Sequence, residues 1–498
     1  MVFAAFYFCN HNTNTGEGER MEKVLHFIDG TFCESHDGRT FDNFNPATGE
    51  KIGVVAEGGK AEIDQAVAAA RRAFKTWGKT SAAERAAIMH RIADLIEENL
   101  DELALLETTD TGKPLTLAKS LDIPRSAYNF RFFADFVKGM STEAFEMEGV
   151  ALNYALRRPV GVAGLISPWN LPLFLLTWKV APCLAAGDTC VIKPAELTPM
   201  TATKLAEICQ KAGVPNGVVN VVHGFGPDAA GSALTEHPDV DLISLTGETT
   251  TGKAVMKSAA SSLKRLSLEL GGKNPNIVFA DCDLEDALTT TIRSSFVNQG
   301  EVCLCGSRIY VERPLYDRFV AGLVEKTAQL VVGDPLDPNT NVGALISFEH
   351  LERVEGFVRR AVEQGGRILI GGKRPEHLKH GAFFEPTIIV DVDSSCEITR
   401  QEVFGPVVTI QPFDTEEEVI AIANDTNYGL GATIWTSNLK RAHRVAGEIE
   451  AGVIWVNTWF LRDLRTPFGG MKQSGIGREG GVHSFEFFSE LKNVCIKL

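Results

Sequence analysis

Three things are missing from this 498-residue sequence, and each absence excludes a class of function. There is no run of eighteen or more apolar residues, so no transmembrane helix is expected. There is no excess of positive charge, because 49 Lys and Arg stand against 64 Asp and Glu for a formal net charge of −15. A basic face for nucleic acid or an anionic membrane is therefore not expected. The ten cysteines lack the dense, paired spacing of small secreted scaffolds, which points to reduced thiols and a cytoplasmic location. Internal repeats and low-complexity segments are missing as well.

What is there is ordinary globular composition, 44% hydrophobic and 23% charged, with the 46 Gly of an α/β protein rich in tight turns. The length exceeds what one hydrophobic core fills, so two or three substructures are expected. The opening "MVFAAFYFCNHNTNTGEGER" begins apolar but has neither a basic leader nor a long apolar stretch. Residues 1–24 are expected to be a flexible extension, with the folded pattern starting near "VLHFIDGTF", just after Met21.

Apolar residues recur at helical spacing in "AEIDQAVAAARRAFKTW" and "AAERAAIMHRIADLIEENLDELALLE", which predicts two amphipathic helices. After the alternating "GVALNYALRRP", an extended hairpin arm, come "VGVAGLISP", "TCVIKP", "VVNVVHG" and "DLISLTG", interleaved with helical stretches. Continuous apolar runs of that length predict buried parallel strands joined by helices. A second series with "SRIYVERP", "RILIGG" and "FFEPTIIVDV" follows, placing a boundary near Leu270. The terminal strand "NVCIKL" needs a partner, and the arm of another subunit would supply one.

Six stretches carry groups with chemical potential. "NQGEVCLCGSR" sets Cys303 and Cys305 two apart, too close for a C-x-x-C metal or redox pair and with no second ligand pair nearby. No metal is expected, and the residues alone leave two readings, buried thiols or a nucleophile. "SPWNLP" ends an apolar strand with Asn170, an amide able to donate to an oxyanion or simply a turn residue beside two prolines. "LSLELGGKNP" ends another with Glu269 before two glycines, a candidate general base or a solvated strand end. The loops "GFGPDAAG" and "LTGETTTG", with Gly226, Gly247 and Glu248, each follow a strand and open a helix, where backbone N–H groups suit a pyrophosphate. "CVIKPAE" ends a strand with Lys193 and Glu196, either an ion pair or a clamp for ribose hydroxyls that would repel a 2′-phosphate and favour NAD over NADP.

Together these stretches, with "EVFGP" and "PFGGMKQSGIGREGG", resemble the aldehyde dehydrogenase superfamily from about Phe27 to Leu498. The resemblance implies an α/β fold: a Rossmann-type NAD-binding domain over 25–145 and 160–269, an α/β catalytic domain over 270–450, and a small β oligomerisation arm from 146–159 and 485–498. It makes Cys303 the nucleophile, Asn170 the oxyanion donor, Glu269 the base, and Lys179 and Glu479 a proton relay. NAD would lie against Ile166, Ser167, Pro168, Trp169, Lys193, Ala195, Glu196, Gly226, Gly247, Glu248 and Gly271, with Glu402 and Phe404 at the nicotinamide ribose. A homodimer or homotetramer is implied. Many relatives have Gln in place of Glu301, an aromatic in place of Leu245 and Ser or Thr in place of Glu248, departures that bear on cofactor affinity.

Within the superfamily the chain is most similar to dehydrogenases of muconic semialdehydes, through "SLDIPRSAYNFRFFADF", "ALNYALRRPVGVAGLISPWNLPLFLLTWK" and "NTWFLRDLRTPFGGMKQSGIGREGG". The implied substrate is 2-aminomuconate or 2-hydroxymuconate 6-semialdehyde. A carboxylate at its far end calls for fixed arginine, which makes Arg125 and Arg462, with Arg465 in reserve, the expected substrate-binding residues. Broader specificity for aliphatic or betaine aldehydes, a catalytically silent structural oligomer and a Cys303–Cys305 redox sensor are the alternatives.

Overall fold

A computed structural model describes residues 22–498. The expected extension reaches less far than 24, since Glu22–Val24 is a strand paired in parallel with Lys51–Ala56; residues 1–21 lie outside the described residues. Two large sheets dominate. The first has eight strands, in the order Gly475–Ile476, Arg265–Glu269, Leu242–Thr246, Val162–Ile166, Thr189–Lys193, Val219–Val221, His26–Ile28 and Thr31–Cys33. The five from Arg265–Glu269 to Val219–Val221 run parallel, and the rest are antiparallel edges. Helices on both faces explain why Thr189–Lys193 is buried at every residue and reads as a continuous apolar run.

The chain steps from Val162–Ile166 outward through Thr189–Lys193 and Val219–Val221, then returns to the other side at Leu242–Thr246. Strand order therefore reverses between Val162–Ile166 and Leu242–Thr246, and a crevice opens at their carboxyl ends. The loops that emerge there are Ser167–Asn170 and Gly247–Glu248.

The second sheet has seven strands, in the order Arg367–Ile370, Thr387–Val390, Val407–Phe413, Arg308–Glu312, Pro275–Val278, Gly431–Trp435 and Val453–Val456. It therefore runs past the expected limit at 450, and the chain then returns to the first sheet with Gly475–Ile476. The second expected helix is two, Ala82–Glu98 and Leu100–Thr111, separated at Asn99, whose ψ of 23° lies outside the helical range. Ser81 and Glu84 form a reciprocal capping box at the start of the first of these.

The arm is a three-stranded sheet of Ala144–Met147, Ala151–Pro159 and Ser489–Lys497. Here one expectation is corrected. The terminal strand pairs with the hairpin of its own chain, from Ser489 opposite Pro159 to Lys497 opposite Ala151, so it needs no second subunit. Both outer strands of this sheet, Ser489–Lys497 and Ala144–Met147, keep an open edge, and the latter exposes Phe145 and Met147. Among the described residues no helix is long and apolar enough to cross a membrane.

Candidate active site

The crevice at the strand reversal holds a cleft of about 280 Å³. One wall is Pro168, Trp169 and Asn170, another is Gly247 and Glu248, and the far wall is Cys303, Glu402, Phe404 and the start of helix Phe348–Glu363. Trp169 is held edge-on by two rings, His350 at 5.5 Å and Phe404 at 5.1 Å between centroids. Phe404 adopts a left-handed φ of 59°, and its carbonyl accepts a 2.6 Å bond from His350 Nε2. Strain of this kind is retained where neighbours over-determine the backbone.

Glu402 enters from the same side. Its Oε1 accepts from the Gly272 N–H at 2.9 Å, and a Cβ on Gly271 would lie 2.1 Å from its Oε2, so a side chain there would displace the Glu402 carboxyl. Burial raises the Glu402 carboxyl to about 7. Lys193 Nζ and Glu196 Oε2 are 2.8 Å apart at the end of Thr189–Lys193. They lie outside the lining of the cleft, as do Ile166, Ser167, Ala195 and Gly226. Glu248 lines the cleft and has a counter-charge that sequence reasoning missed, Arg353 Nη2 at 3.6 Å.

Cys303 also lines a second, narrow cavity of about 30 Å³, with Trp178, Glu269, Arg462 and Phe468 among its walls. The thiol thus stands between a wide cleft and a closed one. Its loop is entered through three consecutive left-handed residues, Asn298, Gln299 and Gly300, with φ of 52°, 57° and 73°. It is then clamped: Asn274 Nδ2 donates to the carbonyls of Cys303 and Cys305 at 2.8 and 2.9 Å, and Trp459 Nε1 to that of Leu304 at 3.0 Å. Asn170 Nδ2 donates to the Glu301 carbonyl at 2.8 Å, which carries the amide to the nucleophile's loop. Burial, with Glu402 and Glu269 nearby, pushes the Cys303 thiol well above its usual range. Burial takes the Cys305 thiol to about 12. Both shifts favour the protonated thiol, so attack by Cys303 needs a base to take its proton.

Glu269 meets that requirement. Both carboxyl oxygens are buried without a hydrogen-bond partner among the described residues. Burial and the charge of Glu479 push the carboxyl far above the carboxylate range, against Lys179, Arg462 and Arg478. Glu479 is fixed by Trp178 Nε1 at 2.6 Å and Lys179 Nζ at 3.1 Å, and Lys179 also reaches Ser244 Oγ at 2.9 Å. Base catalysis by Glu269 needs its ionised form, so the rate should rise with pH through its raised pKa. Glu479→Gln, which removes a negative neighbour, should move that limb of the kcat profile to lower pH; an unmoved limb would detach Glu479 from the base.

Arg462 is partly buried, with its guanidinium against the rings of Trp178 at 4.3 Å and Phe468 at 3.8 Å. Its Nε and Nη2 have no partner among the described residues, and neither has Nη2 of Arg125. Burial and the neighbouring Arg125 charge lower Arg462 to about 9, and burial lowers Arg125 to about 10. Arg125 Nε donates to Asn129 Oδ1 at 3.2 Å, but the buried N–H groups left unpartnered on two neighbouring cations want an anion. Arg465 does not join them: it is exposed and doubly bonded to Asp463 through Nε at 3.0 Å and Nη2 at 2.6 Å. The structure corrects that reserve choice, because the ion pair with a residue two positions away holds the side chain at the surface.

Sequence reasoning also missed His350, Arg353 and the function of the Glu301 side chain. The helix Phe348–Glu363 that brings His350 and Arg353 to the cleft carries no motif that points to a cofactor. Glu301 Oε1 accepts from Ile346 N–H at 2.9 Å, and burial pushes its carboxyl well above the usual range. A neutral acid there is the hydrogen-bonding counterpart of glutamine. Among the described residues no group of three or more His, Cys, Asp or Glu is placed to hold a metal ion.

Residues 32–494 match the aldehyde dehydrogenase family, and the chain belongs to it. It is 56% identical over 486 residues to a 2-hydroxymuconic semialdehyde dehydrogenase of Pseudomonas sp. (strain CF600), an alignment that covers 96% of this chain and all of the relative (100%). It is 48% identical over 486 residues to a 2-aminomuconic 6-semialdehyde dehydrogenase of Pseudomonas sp, covering 96% and 99%. The solved NAD+ complex of an aldehyde dehydrogenase from Bacillus cereus superposes with a TM-score of 0.93 at 42% identity, over 96% of this chain and 97% of that one. The protein is an NAD-dependent oxidoreductase acting on aldehydes. The residues present fit the cofactor: a cleft at the strand reversal ends on the nucleophile, a helix N-terminus opens onto it at Gly247 and Glu248, and a lysine–carboxylate pair stands at a neighbouring strand end.

Proposed function

We propose that the protein oxidises a muconic semialdehyde, 2-hydroxymuconate or 2-aminomuconate 6-semialdehyde, to the dicarboxylic acid. The observation that carries this reading is Arg462, which lines the narrow cavity that Cys303 also lines and whose Nε and Nη2 have no partner among the described residues, with the unpartnered Nη2 of Arg125 nearby. A substrate with a carboxylate remote from its aldehyde would dock there and present the aldehyde to the thiol. Cys303 attacks the carbonyl carbon, Asn170 and the Cys303 backbone N–H receive the oxyanion, and Glu269 takes the thiol proton. Held by Lys193, Glu196, Gly247, Glu248, Glu402 and Phe404, with Ile166, Ser167, Pro168, Trp169, Ala195, Gly226 and Gly271 along its path, NAD would accept a hydride from the thiohemiacetal. Lys179 and Glu479 carry the thiol proton away, and Glu269, ionised again, deprotonates the water that cleaves the Cys303 thioester; the same pair carries that second proton away.

The test is NADH production with 2-hydroxymuconate semialdehyde against a neutral aldehyde of similar length, for wild type and Arg462→Ala. Removing one cation from a desolvated pair costs about 2–5 kcal/mol. The expected result is a loss of roughly 10²-fold in kcat/KM for the carboxylated aldehyde, with little change for the neutral one. Equal rates for the two aldehydes in wild type would leave a dehydrogenase of broad specificity and discard the muconic substrate.

A homodimer or homotetramer and a cytoplasmic location belong to the same proposal. The open edge Ala144–Met147, with Phe145 60% and Met147 52% exposed, supports the first. The nine free cysteines among the described residues support the second.

A further inference from the structure

Behind Asn170 lies a cluster of charges that the reaction as described does not use. Lys113 is fully buried. Its ammonium donates to Asp122 Oδ2 at 2.7 Å and to the main-chain carbonyl of Asn170 at 3.0 Å, and it stands 3.5 Å from Glu107 Oε1. The same Asn170 carbonyl accepts from Asn298 Nδ2 at 3.1 Å, and that amide also reaches the Glu301 carbonyl at 3.2 Å. Glu107 Oε2 accepts from the Leu173 N–H at 3.4 Å, at the start of helix Pro172–Ala186. A lysine and an asparagine thus hold the Asn170 carbonyl from two sides, and the Glu107 carboxyl ties down the chain two peptides further on.

Burying an ammonium is costly unless it is paired and hydrogen-bonded, and a hydrophobic side chain would fill the space at less cost. The Lys113 bond to a main-chain oxygen, made at the residue whose side chain faces the nucleophile's loop, is what an apolar substitute cannot reproduce. We infer that Lys113 is a positioning residue for the oxyanion donor: by holding the Asn170 carbonyl, with Asp122 and Glu107 holding Lys113, it aims the Asn170 amide at the oxygen of the aldehyde under attack. Burial opposes the charge on Lys113, but Asp122 and Glu107 outweigh it and keep the ammonium protonated. The bond to Asp122 has a second effect. Asp122 immediately precedes helix Ile123–Lys138, which carries Arg125, so the same ammonium sets that helix against the oxyanion loop.

The inference rests on the role of Asn170 in the proposed mechanism, and the experiment separates the two. Lys113→Met, Asp122→Leu and Glu107→Gln are combined, so that no buried charge is stranded; Asp122→Asn is a second, isosteric variant. Each is compared with wild type and Asn170→Ala for melting temperature, NADH binding by fluorescence titration, and the pre-steady-state NADH burst with a neutral aldehyde. A lost oxyanion donor costs about 10²–10³ in rate. Mis-aiming it should lower the burst rate of the triple variant about 10- to 100-fold, and that of Asp122→Asn several-fold, with KM for the aldehyde, NADH affinity and melting temperature little changed. A wild-type burst in either folded variant, or a fall matched by equal losses in NADH affinity and melting temperature, overturns the role of Lys113. A wild-type burst in Asn170→Ala overturns the oxyanion assignment itself.

Discussion

Cys303→Ala should abolish aldehyde-dependent NADH formation, by about 10⁴-fold or more, while NADH still binds with wild-type affinity. Loss of a covalent nucleophile removes the only route to the thioester, and losses of that order are usual for such groups. Cofactor affinity survives because the thiol is one small element of a cleft otherwise formed by Trp169, Gly247, Glu402 and Phe404. Cys305→Ala is the internal control. That side chain is buried among Val302, Leu304, Trp455 and Trp459 and should keep turnover within a few-fold of wild type. Steady turnover in Cys303→Ala would remove the nucleophile assignment, and a dead Cys305→Ala with normal folding would transfer it.

For Glu269→Gln the expectation is a stalled acyl-enzyme: kcat falls about 10²–10⁴-fold, and intact-protein mass spectrometry shows an increment equal to the aldehyde less two hydrogens. Normal turnover with no adduct would end the base role. The same substitution should raise the melting temperature at pH 8. Burial and Glu479 raise the Glu269 carboxyl above its unfolded value, so the folded state holds a proton that the unfolded chain has already lost. Stability therefore declines as pH rises above the unfolded carboxylate range toward the folded pKa, and a neutral amide escapes that decline. Below about pH 4, where both states are protonated, the advantage of Gln should vanish.

How much of this could be read beforehand follows from the physics of each part. The strands Val162–Ile166, Thr189–Lys193 and Leu242–Thr246 are legible because burial on both faces writes a continuous apolar run. The stretches that hold Cys303, Glu269 and Asn170 stand out at strand ends and tight turns, but their roles come from the resemblance to the aldehyde dehydrogenase superfamily, since the residues alone leave a buried thiol, a solvated strand end and a turn residue open. The partner of Ser489–Lys497 is not, since pairing with Ala151–Pro159 across more than three hundred residues leaves no local signal, and the strand's own alternation fits any edge. Arg462 and Arg465 stand three apart in a segment without periodicity, so nothing local says which one turns inward. Trp178 and Phe468, distant in sequence or on another loop, decide it. Lys113 was invisible for the same reason: Asn170, the residue it holds, comes from another segment of the fold.

The charge layout around the thiol has a bearing on how the cycle ends. The arginines are cationic, whereas Glu269, Glu402 and Glu479 gather near Cys303 and its neighbours. For a semialdehyde that arrives with one carboxylate, this layout sets the direction of entry. The product leaves with two, and the second is created beside Glu269 and Glu402, in surroundings that disfavour the ionised form of a carboxyl. Turnover thus converts a well-oriented ligand into a repelled one in place, and discharge of the dicarboxylate is built into the polarity that admitted its precursor. Unreactive dicarboxylates should for that reason be poor inhibitors, and monocarboxylates of the same length with a neutral far end better ones.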